Sequence, residues 1–144
     1  MIETIYIEDD IAHHPRTQRV LARFPRATRV PCQRYGEVFN RRSQNFRLQK
    51  MRPALILARK FDNFVLEAPS GYGIGGAHNF YFSHMLNCLY DCRYCFLAGH
   101  IALANYVLFV NTEDFEPAIE AQLRRCNTDE EVYFFSGTIS LIGF

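Results

Sequence analysis

Four short apolar runs, Ile5-Tyr6-Ile7, Ala54-Leu55-Ile56-Leu57-Ala58, Tyr106-Val107-Leu108-Phe109-Val110 and Glu131-Val132-Tyr133-Phe134-Phe135, are spread along the chain with helix-forming segments between them. Runs this short, rich in aliphatic and aromatic side chains, read as buried strands. Strands that alternate with helices pack as a parallel sheet covered by those helices, so the spacing predicts an α/β fold. Pro15 suits the first turn of a helix reaching about Phe24, with Val20, Leu21 and Phe24 on one face and Pro25 as its stop. Asn111 and Thr112 are good N-cap types for a second helix over about 113–125, acidic at its start and closed by Arg124 and Arg125, as the helix dipole favours. Arg29 to Cys32, Phe64 to Leu66 and Asn79 to Phe82 are further extended segments, whereas Tyr35 to Asn45 has no clear pattern.

The chain has 144 residues, 49% of them hydrophobic, which is enough to bury a core without disulfides. No apolar run is long enough to span a membrane, and the amino terminus lacks the basic-then-apolar order of a signal peptide. A cytoplasmic protein with no membrane association is expected. Pro69 to Gly76 is the clearest boundary, and it divides the chain into a basic module, 1–69, and a second part, 70–144, that carries a cysteine-bearing loop at 83–95.

Charge is segregated along the chain. Residues 1–10 carry four acids and no base, residues 11–60 carry thirteen bases against one acid, and residues 61–144 carry three bases against ten acids. A block of arginines this dense suits a polyanion, because guanidinium binds phosphate oxygens in a bidentate fork and stacks on bases. The alternative is a solvated face whose arginines pair with the acidic second half.

Gly71, Gly73 and Gly76 fit G-x-G-x-x-G, the dinucleotide fingerprint. A strand pattern follows them, where the fingerprint needs a helix N-terminus to receive the pyrophosphate, so that reading is rejected. A simple linker, a flexible hinge or a backbone approach to a ligand remains. Of the five cysteines, Cys32 and Cys126 stand alone and read as packing residues. His13 and His14, at a helix start, read as surface or cap positions.

Cys88, Cys92 and Cys95 form C-x3-C-x2-C on one loop. Three thiolates at this spacing can converge on one inorganic centre, and on a [4Fe-4S] cluster they leave one iron open to bind a further ligand. A structural Cys3His zinc site completed by His78, His84 or His100 uses the same sulfurs.

This spacing, with Tyr94 just before the last cysteine, resembles the signature of radical S-adenosylmethionine enzymes. Its surroundings, from Asn87 to Leu97, with Asn105-Tyr106-Val107, Val110 to Asp114, Ile5 to Glu8, His14-Pro15 and Asn45 to Gln49, are similar to the spore photoproduct lyase family. The resemblance implies a small basic module followed by the first β/α units of an incomplete TIM-like barrel. It also implies a [4Fe-4S] cluster on Cys88, Cys92 and Cys95, with S-adenosyl-L-methionine on the open iron. Tyr94 is expected near the adenine and Ser136-Gly137 near the methionyl group. The implied reaction repairs a thymine photoproduct in DNA after a 5'-deoxyadenosyl radical abstracts hydrogen, with a reducing electron donor as partner. DNA contact is expected from the basic segment 11–60, through Arg41, Arg42 and Arg47. Two departures stand out: Phe96 occupies the place of a second family tyrosine, and Gly137 that of a cysteine. Because a full barrel takes about 250 residues, the chain reads as a truncated or frame-shifted fragment, inactive alone. The alternatives are a radical S-adenosylmethionine enzyme with another substrate and a non-catalytic, zinc-stapled nucleic-acid-binding module.

Overall fold

The computed structural model describes residues 2–39, 45–69, 71, 73–87, 104–126 and 129–137. Strands β1 (Thr4–Glu8), β2 (Thr28–Cys32) and β3 (Leu55–Ala58) alternate with helices α1 (Pro15–Arg23), α2 (Tyr35–Phe39) and α3 (Phe46–Met51). There follow β4 (Leu66–Glu67), β5 (His78–Ser83), β6 (Met85–Leu86), β7 (Tyr106–Phe109), α4 (Phe115–Leu123) and β8 (Val132–Gly137). The first sheet has the order β2-β1-β3-β7-β6, parallel except for β6, and the second is β4-β5-β8 with β5 and β8 parallel. This is the parallel α/β arrangement expected from the alternation of elements. Strands from both sides of residue 69 share each sheet.

All four residues of β3 are buried because it is the central strand and is covered on both faces. The side chains divide with the period of two that a strand imposes. Ile5, Leu55, Leu57 and Val110 meet Leu21, Val20 and Phe24 of the α1 side. Ile56, Ala58, Val107 and Phe109 meet Tyr35, Val38 and Phe39 of α2. A fully buried aliphatic side chain here contributes about 1.5–3 kcal/mol.

The ends of α1 match the sequence reading. The His14 imidazole Nδ1 accepts from the Arg16 backbone N–H at 3.2 Å, capping a helix whose first residue is Pro15. The second helix differs from its expectation. Residues Thr112–Asp114 form a 3-10 turn, α4 starts only at Phe115, and the Asn111 side chain does not cap that turn. Its Oδ1 accepts from Lys60 N at 2.9 Å, and its Nδ2 donates to Lys60 O at 2.8 Å and to Asp114 Oδ2 at 2.6 Å. The extended segment placed at 64–66 reduces to the two residues of β4, and the unpatterned stretch after Arg34 begins with α2.

Candidate functional site

The segment that feeds the cysteine loop is β5. Phe80 is buried and packs on Phe134 of β8 with ring centroids 5.3 Å apart. Phe115 of α4 meets Phe64 edge-on at 5.1 Å and Phe82 at 6.0 Å, which fixes α4 against this sheet. The parallel register pairs Phe82 with Ser136 and Ser83 with Gly137. The carboxyl ends of both strands therefore lie side by side, and the chain leaves Ser83 for β6, with Cys88 beyond it in sequence, from the edge at which Ser136 and Gly137 arrive. In parallel β/α folds this end of the strands carries the chemistry.

Two asparagines control how the chain departs. After Ser83 it turns into β6, which pairs antiparallel with β7 through Met85–Leu108 and Leu86–Val107. Asn87 then adopts φ 64°, a left-handed conformation that Asn tolerates better than most residues. It is buried, and its Nδ2 donates to Asn105 O at 2.6 Å, while Asn105 Oδ1 accepts from Ala54 N at 3.0 Å. The residue immediately before Cys88 is thus locked to the start of β3 through Asn105. Sequence reasoning gave neither asparagine a role of its own; an Asn directly before a turn-forming motif is the signal that was there.

Cys88, Cys92, Cys95, Tyr94 and Phe96 lie outside the described residues, as do His100, Arg41 and Arg42. Arg47 lies on α3. Among the described residues no group of three or more His, Cys, Asp or Glu side chains is arranged to hold a metal ion. His78 is engaged elsewhere, stacked on Phe80 with Nε2 2.9 Å from Glu130 Oε2. His84 lines an open cleft of about 430 Å³ with Phe82, Phe115, Thr112 and Glu116. Among the described residues no helix is long and apolar enough to cross a membrane.

The rejection of the dinucleotide fingerprint agrees with the structure, since β5 and not a helix follows Gly76. The backbone at Gly76 does approach another segment closely, but that segment is the chain's own Glu131. The two isolated thiols are both half-buried. Cys126 Sγ points to Gln122 O at 3.4 Å. Burial, and then the charges of Glu8, Glu37 and Asp9, push the Cys32 thiol up to about 11. At neutral pH it holds roughly a hundredfold less thiolate than an ordinary thiol. Iodoacetamide should accordingly label Cys32 about a hundredfold more slowly than a small-molecule thiol at pH 8, rising about tenfold per pH unit until near pH 11. Peptide mass spectrometry reads this directly, and labelling as fast as the small thiol would refute the burial argument.

The mixed α/β architecture, with its largely parallel strands, matches in fold a set of solved structures. The solved structures to which the chain is similar are of spore photoproduct lyase. One, with bound AdoMet and dinucleoside spore photoproduct, aligns at TM-score 0.68 and 11% identity, covering 96% of this chain and 40% of that one. Another, complexed with dinucleoside spore photoproduct, aligns at TM-score 0.60 and 15% identity over 89% and 37%. A point mutant of the enzyme aligns at 0.70 and 12% over 96% and 40%. The chain thus spans about 40% of the length of the enzymes it resembles. No protein-family model and no curated protein matches the chain.

Proposed function

We propose that this chain is part of a radical S-adenosylmethionine iron-sulfur protein of the spore photoproduct lyase type, acting on a thymine photoproduct in DNA. The observation that carries this reading is the shared edge of β5 and β8, which brings Ser136 and Gly137 beside Ser83, five residues before the first cysteine of the trio. Three thiolates suit three irons of a [4Fe-4S] cluster and leave the fourth for a further ligand, so the chemistry of the donor set fits the group. Cys88, Cys92 and Cys95 would hold it, Tyr94 would border the adenine of S-adenosylmethionine, and Ser136-Gly137 would contact its methionyl end. When bound, cluster and S-adenosylmethionine supply a 5'-deoxyadenosyl radical, the species that abstracts hydrogen. The protein's own part is to aim the loop, through Asn87 and Asn105, and to keep the two strand ends in register. Residues 1–69 serve as the basic, DNA-facing module and 70–144 as the cofactor-bearing part.

Phe96 has no O–H hydrogen to transfer, and Gly137 has no thiol. These two positions thus lack the groups through which the family returns hydrogen to the product radical. The test is anaerobic reconstitution of the chain with iron and sulfide. Iron and sulfide in [4Fe-4S] stoichiometry, with an electron paramagnetic resonance signal that changes when S-adenosylmethionine is added, is the expected result. A colourless protein with stoichiometric zinc would overturn it in favour of the zinc-stapled nucleic-acid module.

A further inference from the structure

Between Ile11 and Arg34 the chain has six arginines and no acid. Arg34 pairs with Asp10, and Arg16 lies close enough to Glu113 to help hold that carboxyl below its usual range. The other four, Arg19, Arg23, Arg26 and Arg29, are all exposed, and among the described residues none makes an ion pair. They lie on one side of the first sheet. At about 100° per residue, Arg16, Arg19 and Arg23 fall within about 60° of arc on α1, away from the face formed by Thr17, Leu21 and Phe24. Arg26 lies in the turn that follows. Arg29 is on β2, in register with Ile5, and paired residues of a parallel ladder share a face. Ile5 packs in the cluster with Leu21, so Arg29 emerges on the α1 side.

Stability does not account for this arrangement. Arg23, in the last turn of α1, suits the helix dipole, but like charges four residues apart, as at Arg19 and Arg23, weaken a helix, and the dipole gives no reason for Arg19, Arg26 or Arg29. Protection of an exposed sheet edge explains one cation on β2, where Pro31 already removes a donor N–H, and leaves those on α1 unexplained. The acidic second half of the chain does not neutralise them either, since its acids in the described residues pair elsewhere or stand apart. We propose that this face, through Arg19, Arg23, Arg26 and Arg29, is a docking surface for the sugar-phosphate backbone of duplex DNA. It is additional to the contacts assigned to Arg41, Arg42 and Arg47. The choice of DNA over another polyanion rests on the function proposed above; the phosphate contacts themselves do not need the cluster.

The test measures binding of the whole chain to a short, lesion-free, fluorescein-labelled duplex by anisotropy between about 50 and 200 mM salt. Each arginine replaced by glutamine should reduce the slope of log K against log salt by about 0.9, so changing Arg19, Arg23, Arg26 and Arg29 together removes about 3.6. The corresponding lysine variant keeps the slope, because the slope counts charges, and so separates lost contacts from lost folding. Arg124→Gln with Arg125→Gln, at the end of α4, leaves it unchanged. A slope that survives the fourfold glutamine replacement overturns the proposal, as does a replacement that weakens binding of poly-glutamate but not of duplex DNA. Because lesion, cluster and turnover are absent from the assay, failure of the radical reading cannot imitate either outcome.

Discussion

Replacing Glu8 by alanine should destabilise the fold by about 3 kcal/mol or more, the largest loss expected of any single polar substitution in the first sheet. Glu8 ends β1 and is completely buried, a rare position for a carboxylate. Its two oxygens are divided between two segments: Oε1 accepts from Tyr35 N–H at 2.6 Å and Oε2 from Arg59 N–H at 2.8 Å. The side chain thereby ties the start of α2 and the residue after β3 to the end of β1. Alanine would strand both donors, each costing about 1–3 kcal/mol, and would leave a cavity besides. Against a typical domain stability of about 5–15 kcal/mol that is a large fraction. Urea denaturation of the two proteins measures it, and a loss under about 1 kcal/mol would show that the donors find other partners. Glu8→Gln adds a second readout. Burial first, then Glu8 and Asp62, hold the Tyr35 phenol above its ordinary range, and Glu8 is the leading charge acting on Cys32. Removing the charge should lower both groups, which phenol titration and the alkylation rate detect independently of stability.

Glu8 also illustrates what was readable in the sequence and what was not. The strands that depend only on their own composition, at Ile5 to Ile7, Ala54 to Ala58, Tyr106 to Val110 and Glu131 to Phe135, stand out because each is a short run rich in aliphatic and aromatic side chains. Helix α1 was legible because His14, Pro15 and Pro25 mark its ends locally. What escaped is held by distant partners. Helix α2 is five residues long, and its place depends on Glu8 at one end and on Tyr35, Val38 and Phe39 packing against the sheet. Asn111 reads as a cap from its neighbours, yet two of its three side-chain bonds go to Lys60, 51 positions away, and the third joins the Asp114 carboxylate rather than a backbone N–H. Strand β6 has two residues and exists only because β7 presents an edge to it. The cysteine trio was legible for the opposite reason: metal chemistry constrains ligand spacing within one loop, so the pattern is complete without tertiary information.

Gly76→Ala is expected to destabilise the β5–β8 pair by about 2–4 kcal/mol, combining left-handed backbone strain with a steric clash. Gly76 has φ +69°, and a Cβ built on it would lie 2.7 Å from Glu131 O and 2.7 Å from the Tyr133 ring. The ring could swing away; the carbonyl cannot, because it accepts from Ala77 N at 3.2 Å and His78 N at 3.4 Å and so fastens the start of β5 to the start of β8. The methyl group must push Glu131 back and strain those two bonds. Gly71→Ala is the internal control, since Gly71 has φ +88° and nothing within 4 Å of its Cβ direction. Both variants carry backbone strain of about 1–2 kcal/mol, and the excess in Gly76→Ala isolates the contact. Equal midpoints in urea would show that β8 yields at no cost. If the excess is found, the effect reaches the other end of the same ladder, where Ser83 and Gly137 are paired. Under the proposed function, a reconstituted Gly76→Ala protein would then keep iron on its three thiolates, yet bind S-adenosylmethionine more weakly, because the strand carrying Ser136 has moved.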